Sequence, residues 1–361
     1  MGIRYDRDSK RATNGPLIFF SDPASKEAIA EEIRGAIYSG LSFYCYRAPN
    51  SHMISFGSSE ICLEAFGIPG FVIGFFNPEI PVITIPYKNI NQKLSGSPFY
   101  EMPESSTTFN EYKKTVGNYI ESLKNRPSGK IVAARVIVKT EQLDPAEKFL
   151  DFCERFPESY IFCFSTPLTG CWIGASPELL LEGRKGELST VALAGTRKIT
   201  CENTWDNWDK KNIEEQRIVT DYILEKFEKN GLLPIEGETF NKQTGQIEHI
   251  CTPIKAINKN LDVKDLENFI KDLSPTPALC GNPKDFALKE IFENEKFQRG
   301  CYGGFCGPYQ SPDDFNLNVV LRCASFDERK YCIYVGGGIT SRSVVEKEWD
   351  ETEIKAENTF E

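Results

Sequence analysis

The run KIVAARVIVK, residues 130–139, is apolar at both its odd and its even positions. Side chains alternate between the two faces of a strand, so a strand with one wet face alternates in polarity. This one predicts a strand covered on both faces, and a chain that contains it must build a layer on either side. At 361 residues there is enough chain to do so in one large domain or two modest ones. YIFCF (160–164) and CWIGAS (171–176) read as further strands. SPELLLEGRKGELSTVALAGTRK (176–198) reads as a hairpin turning at Gly183-Arg184-Lys185-Gly186, and LNVVLRCASF (317–326) with KYCIYVGGGI (330–339) as a second antiparallel pair.

Helices are interspersed. Thr108 and Glu111 have capping-box spacing ahead of a stripe of Phe109, Tyr112, Val116, Tyr119 and Leu123. Asp144-Pro145 supplies an N-cap and a first-turn proline. Strand clusters mixed with helices, without regular βαβ alternation, predict an α+β architecture. A stretch rich in Ser, Pro and Gly at 91–108 marks the best seam, dividing an N-terminal part, 1–107, from a region 108–361.

Several classes of function are disfavoured. With a net charge of −10 the chain is a poor nucleic-acid binder, so an anionic ligand would need local cations or a metal. Twelve cysteines include no CxxC pair, and only His52 and His249 could help them hold zinc. The charged N-terminus has no apolar signal core, which makes reduced thiols in a cytoplasmic protein the expectation. The most apolar region, GFVIGFFNPEIPVITIPY from Gly70, is interrupted by Pro78, Glu79 and Pro81, and no membrane span is expected. Gly336-Gly337-Gly338 lacks dinucleotide-fingerprint spacing.

Some charged residues stand where pattern alone gives them no reason. Glu178 follows a Ser-Pro turn at the mouth of an apolar run. In the helix spanning roughly 211–229, Glu214, Arg217, Asp221, Glu225 and Glu228 form a wet face, whereas Glu215 aligns with Val219, Tyr222 and Ile223. A carboxylate there is either compensated by a site or eased by its place in the first turn. In SVVEKEWDETEIKAENTF (343–360), Val345, Trp349, Thr352 and Ala356 form a packing stripe, with Glu348, Glu351 and Lys355 beside it. Two carboxylates one turn apart suit a hard cation such as Mg²⁺, or form a solvated face with a Glu351–Lys355 pair. Arg322 interrupts an apolar strand, which points to a buried anion or a structural carboxylate.

These segments together resemble the chorismate-utilising enzymes, the family of anthranilate, aminodeoxychorismate, salicylate and isochorismate synthases. The similar motifs are KIVAAR (130–135), GASPELLL (174–181), ALAGTRK (192–198), KNIEEQRIV (211–219), EHICTPI (248–254), SPTPALCG (274–281), VVLRCA (319–324), VGGGI (335–339) and EWDETEIK (348–355). They run in family order over about two thirds of the chain. The resemblance implies one large α+β domain in which two antiparallel sheets pack as a sandwich flanked by helices, with the site in a cleft. It implies the small-molecule substrate chorismate and Mg²⁺ on its ring carboxylate. Glu215 and Glu351 match the metal positions, with Glu348 acting through water. Gly195, Thr196, Arg322, Gly336 and Lys355 match positions that hold the substrate's carboxylates, and His249 a position that orients the ring. A lone histidine or a solvated lysine would otherwise be read as structural.

The members of the family differ in the nucleophile that attacks C2. Lys130 matches the base of the branch that uses water, and Glu178 matches the acid that protonates the departing 4-hydroxyl. Ala194 stands where aminodeoxychorismate synthases carry an attacking lysine, and the PTPA core at 275–278 is that of isochorismate synthases. The resemblance therefore implies an isochorismate synthase, by analogy at the head of menaquinone biosynthesis and, like many relatives, a monomer. A salicylate synthase and a non-catalytic ligand-binding homologue are the rivals. Ser274, Gln216 and Glu248 depart from the residues usual at their positions.

Overall fold

Two nine-stranded antiparallel sheets lie face to face in the computed structural model, which describes residues 17–19, 23–88, 98–126, 129–199, 207–244, 247–258 and 261–360. The chain begins with β1 (Leu17–Phe19), α1 (Pro23–Tyr38), β2 (Ser42–Arg47), β3 (Met53–Ser59), β4 (Gly70–Gly74) and β5 (Ile83–Pro86). It continues through α2 (Phe109–Leu123), β6 (Lys130–Lys139), α3 (Pro145–Arg155), β7 (Tyr160–Thr166), β8 (Gly170–Ser176), β9 (Leu179–Arg184) and β10 (Glu187–Lys198). Then come α4 (Lys210–Lys229), β11 (Ile235–Glu236), β12 (Phe240–Thr244), β13 (Ile247–Ile257), α5 (Val263–Leu273), β14 (Gly281–Asn282) and α6 (Lys284–Asn294). The last elements are β15 (Phe305–Ser311), β16 (Asp314–Val319), β17 (Cys323–Phe326), β18 (Tyr331–Ile339) and α7 (Val345–Phe360).

The first sheet has the order β1-β3-β2-β7-β8-β17-β18-β6-β14. The second runs β11-β13-β10-β9-β16-β15-β4-β5, with β12 sharing the outer edge of β13. Period-two alternation divides the first sheet cleanly. Tyr44, Tyr46, Tyr160, Phe162 and Phe164 join Phe71, Leu181 and Leu317 of the second sheet. Phe43, Cys45, Ile161 and Cys163 pack instead against Ile29 and Ile33 of α1, Phe149 and Phe152 of α3, and Phe360 of α7. This is the expected sandwich with helices outside it.

The double-sided apolarity of β6 has the same cause. Ala134 and Val136 join the core between the sheets, while Ile131 and Ala133 meet Val116, Tyr119 and Leu123 of α2 and Ile291 of α6. Both expected caps are present: Thr108 Oγ1 accepts from Glu111 N at 3.3 Å, and Asp144 Oδ1 accepts from Ala146 N at 2.9 Å. Of the expected seam at 91–108, residues 91–97 lie outside the described residues.

The structure departs from the sequence expectation at 317–326. That run is two strands in two sheets: β16 pairs with β9 and β15, whereas β17 pairs with β8 and β18. Arg322 stands at the break with φ +47, a left-handed conformation that ends a strand. The hairpin at 176–198 also holds only near its turn, pairing Glu182–Arg184 with Glu187–Ser189. Beyond Ser189, the backbone of β10 pairs with β13.

A second crossing lies beside the first. The chain leaves β8 in the first sheet and enters β9 in the second through Ser176-Pro177-Glu178. Val319 N donates to Glu178 O at 3.0 Å, and Ala175 N donates to Arg322 O at 3.1 Å, so the two crossings are bonded to each other.

One buried ion pair fixes the loop behind β6. Arg299 Nη1 donates to Leu279 O, Nη2 donates to Val132 O and Nε donates to Glu295 Oε2, each at 2.7 Å. Glu295 Oε1 accepts from Ala134 N at 3.0 Å. Removing one member leaves the other charge buried and uncompensated. Arg299→Met is expected to lower unfolding free energy by about 3–5 kcal/mol, measured by urea denaturation, with no shift if the pair were dispensable.

Candidate active site

Three successive glycines in β18 lie beside several of the expected site residues. A Cβ on Gly336 would sit 2.9 Å from Ala133 O and from Tyr302 Oη, and one on Gly337 would sit 3.4 Å from Glu348 Oε2. A Cβ on Gly338 would overlap Lys130 Cε. Gly336 and Gly338 therefore leave room that a side chain would take from Ala133, Tyr302 and Lys130, whereas a methyl at Gly337 would only touch Glu348. Lys355 of α7 donates to Gly336 O at 2.9 Å and pairs with Glu351 at 2.7 Å. The tip of Lys130 forms an ion pair with Glu215.

Glu215 thus has a reason to break the apolar stripe of α4. It is half-buried beside buried Val219 and Tyr222, and its carboxylate meets the ammonium that projects from β6. Along β6, Lys130 falls on the same face as Ala134 and Val136, toward the opposing sheet. The far helix is anchored by Arg135, which donates to Thr352 Oγ1 at 2.6 Å and to Glu353 Oε1 at 2.7 Å while stacking on Trp349. The packing stripe of α7 is therefore the one expected, and it leaves Glu348, Glu351 and Lys355 along one side.

Glu178 is buried at the sheet crossing, and Thr276 Oγ1 donates to its Oε1 at 3.1 Å. Burial pushes its pKa from the usual 4.5 up to about 7, against the opposing pull of the Thr276 hydroxyl and the charges of Lys242 and Lys130. The carboxyl therefore keeps a proton close to neutral pH. Burial acts the other way on His249, lowering its pKa from 6.5 to about 4, with Arg322, Lys242 and Lys355 adding to the effect. Its Nδ1 lies 3.0 Å from Gly195 O; a carbonyl only accepts, so Nδ1 carries the hydrogen and Nε2 is an acceptor.

Gly195 sits at a break in β10–β13 pairing between Ala194 and Arg197, with φ +69, and Asn212 of α4 packs against it. Thr196 is the next residue of that strand. Arg322 is half-buried and its pKa is lowered by desolvation; among the described residues no carboxylate pairs with its guanidinium. A desolvated cation of this kind is costly unless an anion joins it. Contacts and charge interactions link several of the expected residues: Lys130 meets Glu215 and lies beside Gly338, Lys355 meets Glu351 and Gly336, Glu178 feels the charge of Lys130, and His249 feels those of Arg322 and Lys355.

Three side chains here were missed from the sequence. Thr276 lies inside the SPTPALCG segment, which signalled a motif but not a contact with Glu178. Tyr302, buried against Gly336, has no sequence signal beyond its place in a Gly-rich turn. Lys242 of the edge strand β12 donates to Pro177 O at 3.0 Å. The departures have structural partners: Glu248 pairs with Arg197 at 2.6 Å, Gln216 donates to Thr220 Oγ1 at 2.8 Å, and Ser274 O accepts from Lys284 Nζ at 2.6 Å. A separate cavity of about 340 Å³, lined by Glu101, Glu104, Glu111 and Glu295, contains none of the predicted site residues.

The expected metal carboxylates, Glu215 and Glu351, are each paired with a lysine in this structure, and their oxygen donors are of the kind a hard cation takes. Among the described residues no three acidic, histidine or cysteine side chains converge as a closed cage. Mg²⁺ keeps waters and takes one or two protein carboxylates plus groups from a substrate.

A family model described as chorismate binding enzyme matches residues 86–360. The vibriobactin-specific isochorismate synthase of Vibrio cholerae is 27% identical over 264 residues, 70% of this chain and 66% of that protein. The isochorismate synthase MenF of Bacillus subtilis is 28% identical over 68% of this chain and 54% of its own length. Matches to these and other curated relatives span between 48% and 66% of those proteins' lengths. Among solved structures, the menaquinone-specific isochorismate synthase MenF of Escherichia coli superposes with a TM-score of 0.73 at 19% identity, covering 88% of this chain and 87% of that one. Anthranilate synthase component I of Streptococcus pneumoniae superposes with a TM-score of 0.65 at 16% identity, covering 99% and 83%. At such identities these superpositions establish the fold.

The raised Glu178 pKa makes a prediction about stability. The folded state binds this proton more tightly than the unfolded chain, so its contribution is full below pH 4.5 and is lost as pH rises through about 7. Relative to Glu178→Gln, the native protein should lose up to about 3 kcal/mol across that window. Paired urea titrations at intervals from pH 5 to 8 measure the difference; a constant gap would contradict the buried, protonated carboxyl.

Proposed function

The chain belongs to the chorismate binding enzymes, matching their family model over residues 86–360, and from that membership we propose that it is an isochorismate synthase. Glu178 carries the proposal: a buried carboxyl holding its proton to about pH 7 has the protonation state a general acid needs near neutrality. Lys130 is the base for water, and Ala194 offers no amine that could attack in its place. Two curated relatives named as isochorismate synthases support the same branch.

In the proposed reaction Arg322 and Lys355, with backbone at Gly195, Thr196 and Gly336, hold the two carboxylates of chorismate, and His249 orients the ring. Lys130, released from Glu215 and in its neutral form, accepts a proton as water adds at C2. The ring double bonds shift, the C4–O bond breaks, and Glu178 gives its proton to the departing hydroxyl, which leaves as water. One water enters and one leaves, so the isomerisation is balanced and reversible. Magnesium held by Glu215 and Glu351, with Glu348 acting through water, would neutralise charge on the ring carboxylate. Burial of Thr276, Tyr302 and Glu178 keeps bulk water from the leaving-group side. The proposed use of the product is menaquinone biosynthesis, in keeping with the menaquinone-specific structural neighbour.

Incubation with chorismate and Mg²⁺ should yield isochorismate alone, and chelation should stop it. Lys130→Ala and Glu178→Gln should each lose at least about 100-fold in kcat. Salicylate and pyruvate formed without a second enzyme would move the protein to the salicylate branch, and wild-type rates in both variants would refute the mechanism. Gly338→Ala tests the cradle around Lys130. The overlapping atom belongs to a flexible side chain, so stability should change by less than about 1 kcal/mol, while kcat falls at least about tenfold because Lys130 is displaced. An unchanged kcat would show that the glycine does not place the base.

A further inference from the structure

Lys242 stands on β12, the outermost strand at its corner of the second sheet, and is cross-strand from His249 of β13. Its ammonium leaves the sheet edge and donates to Pro177 O at 3.0 Å. Pro177 is the middle residue of the Ser176–Glu178 sheet crossing and immediately precedes Glu178. Long lysines on edge strands ordinarily point into water, and this one is half-buried against a backbone carbonyl. The carbonyl of a buried proline has no charge to neutralise, so a neutral donor would have served to fasten the turn. A fixed positive charge here has a second effect, because the neighbouring Glu178 must release and regain a proton.

We infer that Lys242 is a positioning residue for Glu178: it clamps the Ser176–Glu178 crossing through Pro177 O and sets a permanent positive charge beside the acid. This rests on Glu178 being the general acid. The groups bearing on Glu178 are Thr276 from the segment after α5, Lys242 from β12 and Lys130 from β6. Both cations offset burial of the carboxylate, Lys242 more than Lys130, which is also paired with Glu215. Without it, the carboxylate formed after proton transfer would have less compensation, and the acid would give up its proton less readily to the departing hydroxyl in the forward direction. The same ammonium lies within electrostatic reach of His249 and helps keep that ring neutral. It contributes to a cationic cleft, with Arg322 and Lys355, inside a protein of net charge −10.

The test is the pH dependence of chorismate turnover by the Mg²⁺-loaded enzyme. An adjacent cation stabilises the carboxylate, so its removal raises the pH at which Glu178 loses its proton, and the alkaline limb must move upward. Lys242→Met should move the limb of kcat up by about half a unit to one unit, and Lys242→Arg should restore it. Lys242→Gln retains a donor for Pro177 O without the charge and should shift the limb as Lys242→Met does, which keeps the test available if the methionine variant folds poorly. An unmoved limb in Lys242→Gln, whatever happens to the rate, overturns the inference. Glu178→Gln in the same assay separates the two proposals: if it retains the wild-type limb, the acid assignment has failed, not the role of Lys242.

Discussion

Two chain crossings between the sheets, at 176–178 and 320–322, are tied by a pair of backbone hydrogen bonds, Val319 N to Glu178 O and Ala175 N to Arg322 O. Strands of a sandwich normally shield their backbone polar groups within their own sheet. A chain that changes sheet must find partners in the gap, and here each crossing satisfies the other. The same bonds fix where the first residue after each turn points. Glu178 and Arg322 are consequently placed at neighbouring crossings by the fold's own connectivity, and the elements on either side, β8 with β17 and β9 with β16, keep them there.

The remaining charges in the cleft come from outside the crossings and are held in lysine–carboxylate pairs. Lys130 meets Glu215, and Lys355 meets Glu351 while bonding to Gly336 O. These acids are on α4 and α7, which approach from different sides of the molecule, so the glycines of β18 matter as much as the charged residues. A side chain at Gly338 would intrude on Lys130 and one at Gly336 on Tyr302. Burial then separates two titrating groups in opposite directions: Glu178 toward retaining its proton, His249 toward losing one. A neutral acid and a neutral imidazole leave the positive charge to Arg322 and the lysines, which suits a doubly anionic ligand.

Much of this was legible in the chain. The capped starts of α2 and α3 and the double-sided strand β6 follow from local preference and period-two burial, and both are where the pattern put them. Glu215 was visible as a carboxylate on an apolar face, because a 3.6-residue period exposes any misplaced charge. Its lysine partner, 85 residues earlier, was not, since periodicity carries no information about which element lies opposite. LNVVLRCASF was misjudged for a related reason: apolar strands of two different sheets, joined by a three-residue break, have the same local pattern as one long strand. Only Arg322 marked the join, and it read as an intrusion into the strand.

The sequence by itself determined the elements, the layers they must form and the family to which its ordered motifs belong, because propensity, capping and alternation act within a few residues of the chain. Tertiary structure alone decided what each charged group faces. Thr276 reaches the Glu178 carboxyl, Lys242 reaches Pro177 O, and Tyr302 occupies the space left by Gly336, each through contacts between distant segments. Proton affinity is set by burial and by neighbouring charge, both properties of the assembled cleft, so the protonation of Glu178 and His249 could not be read before the sheets were brought together.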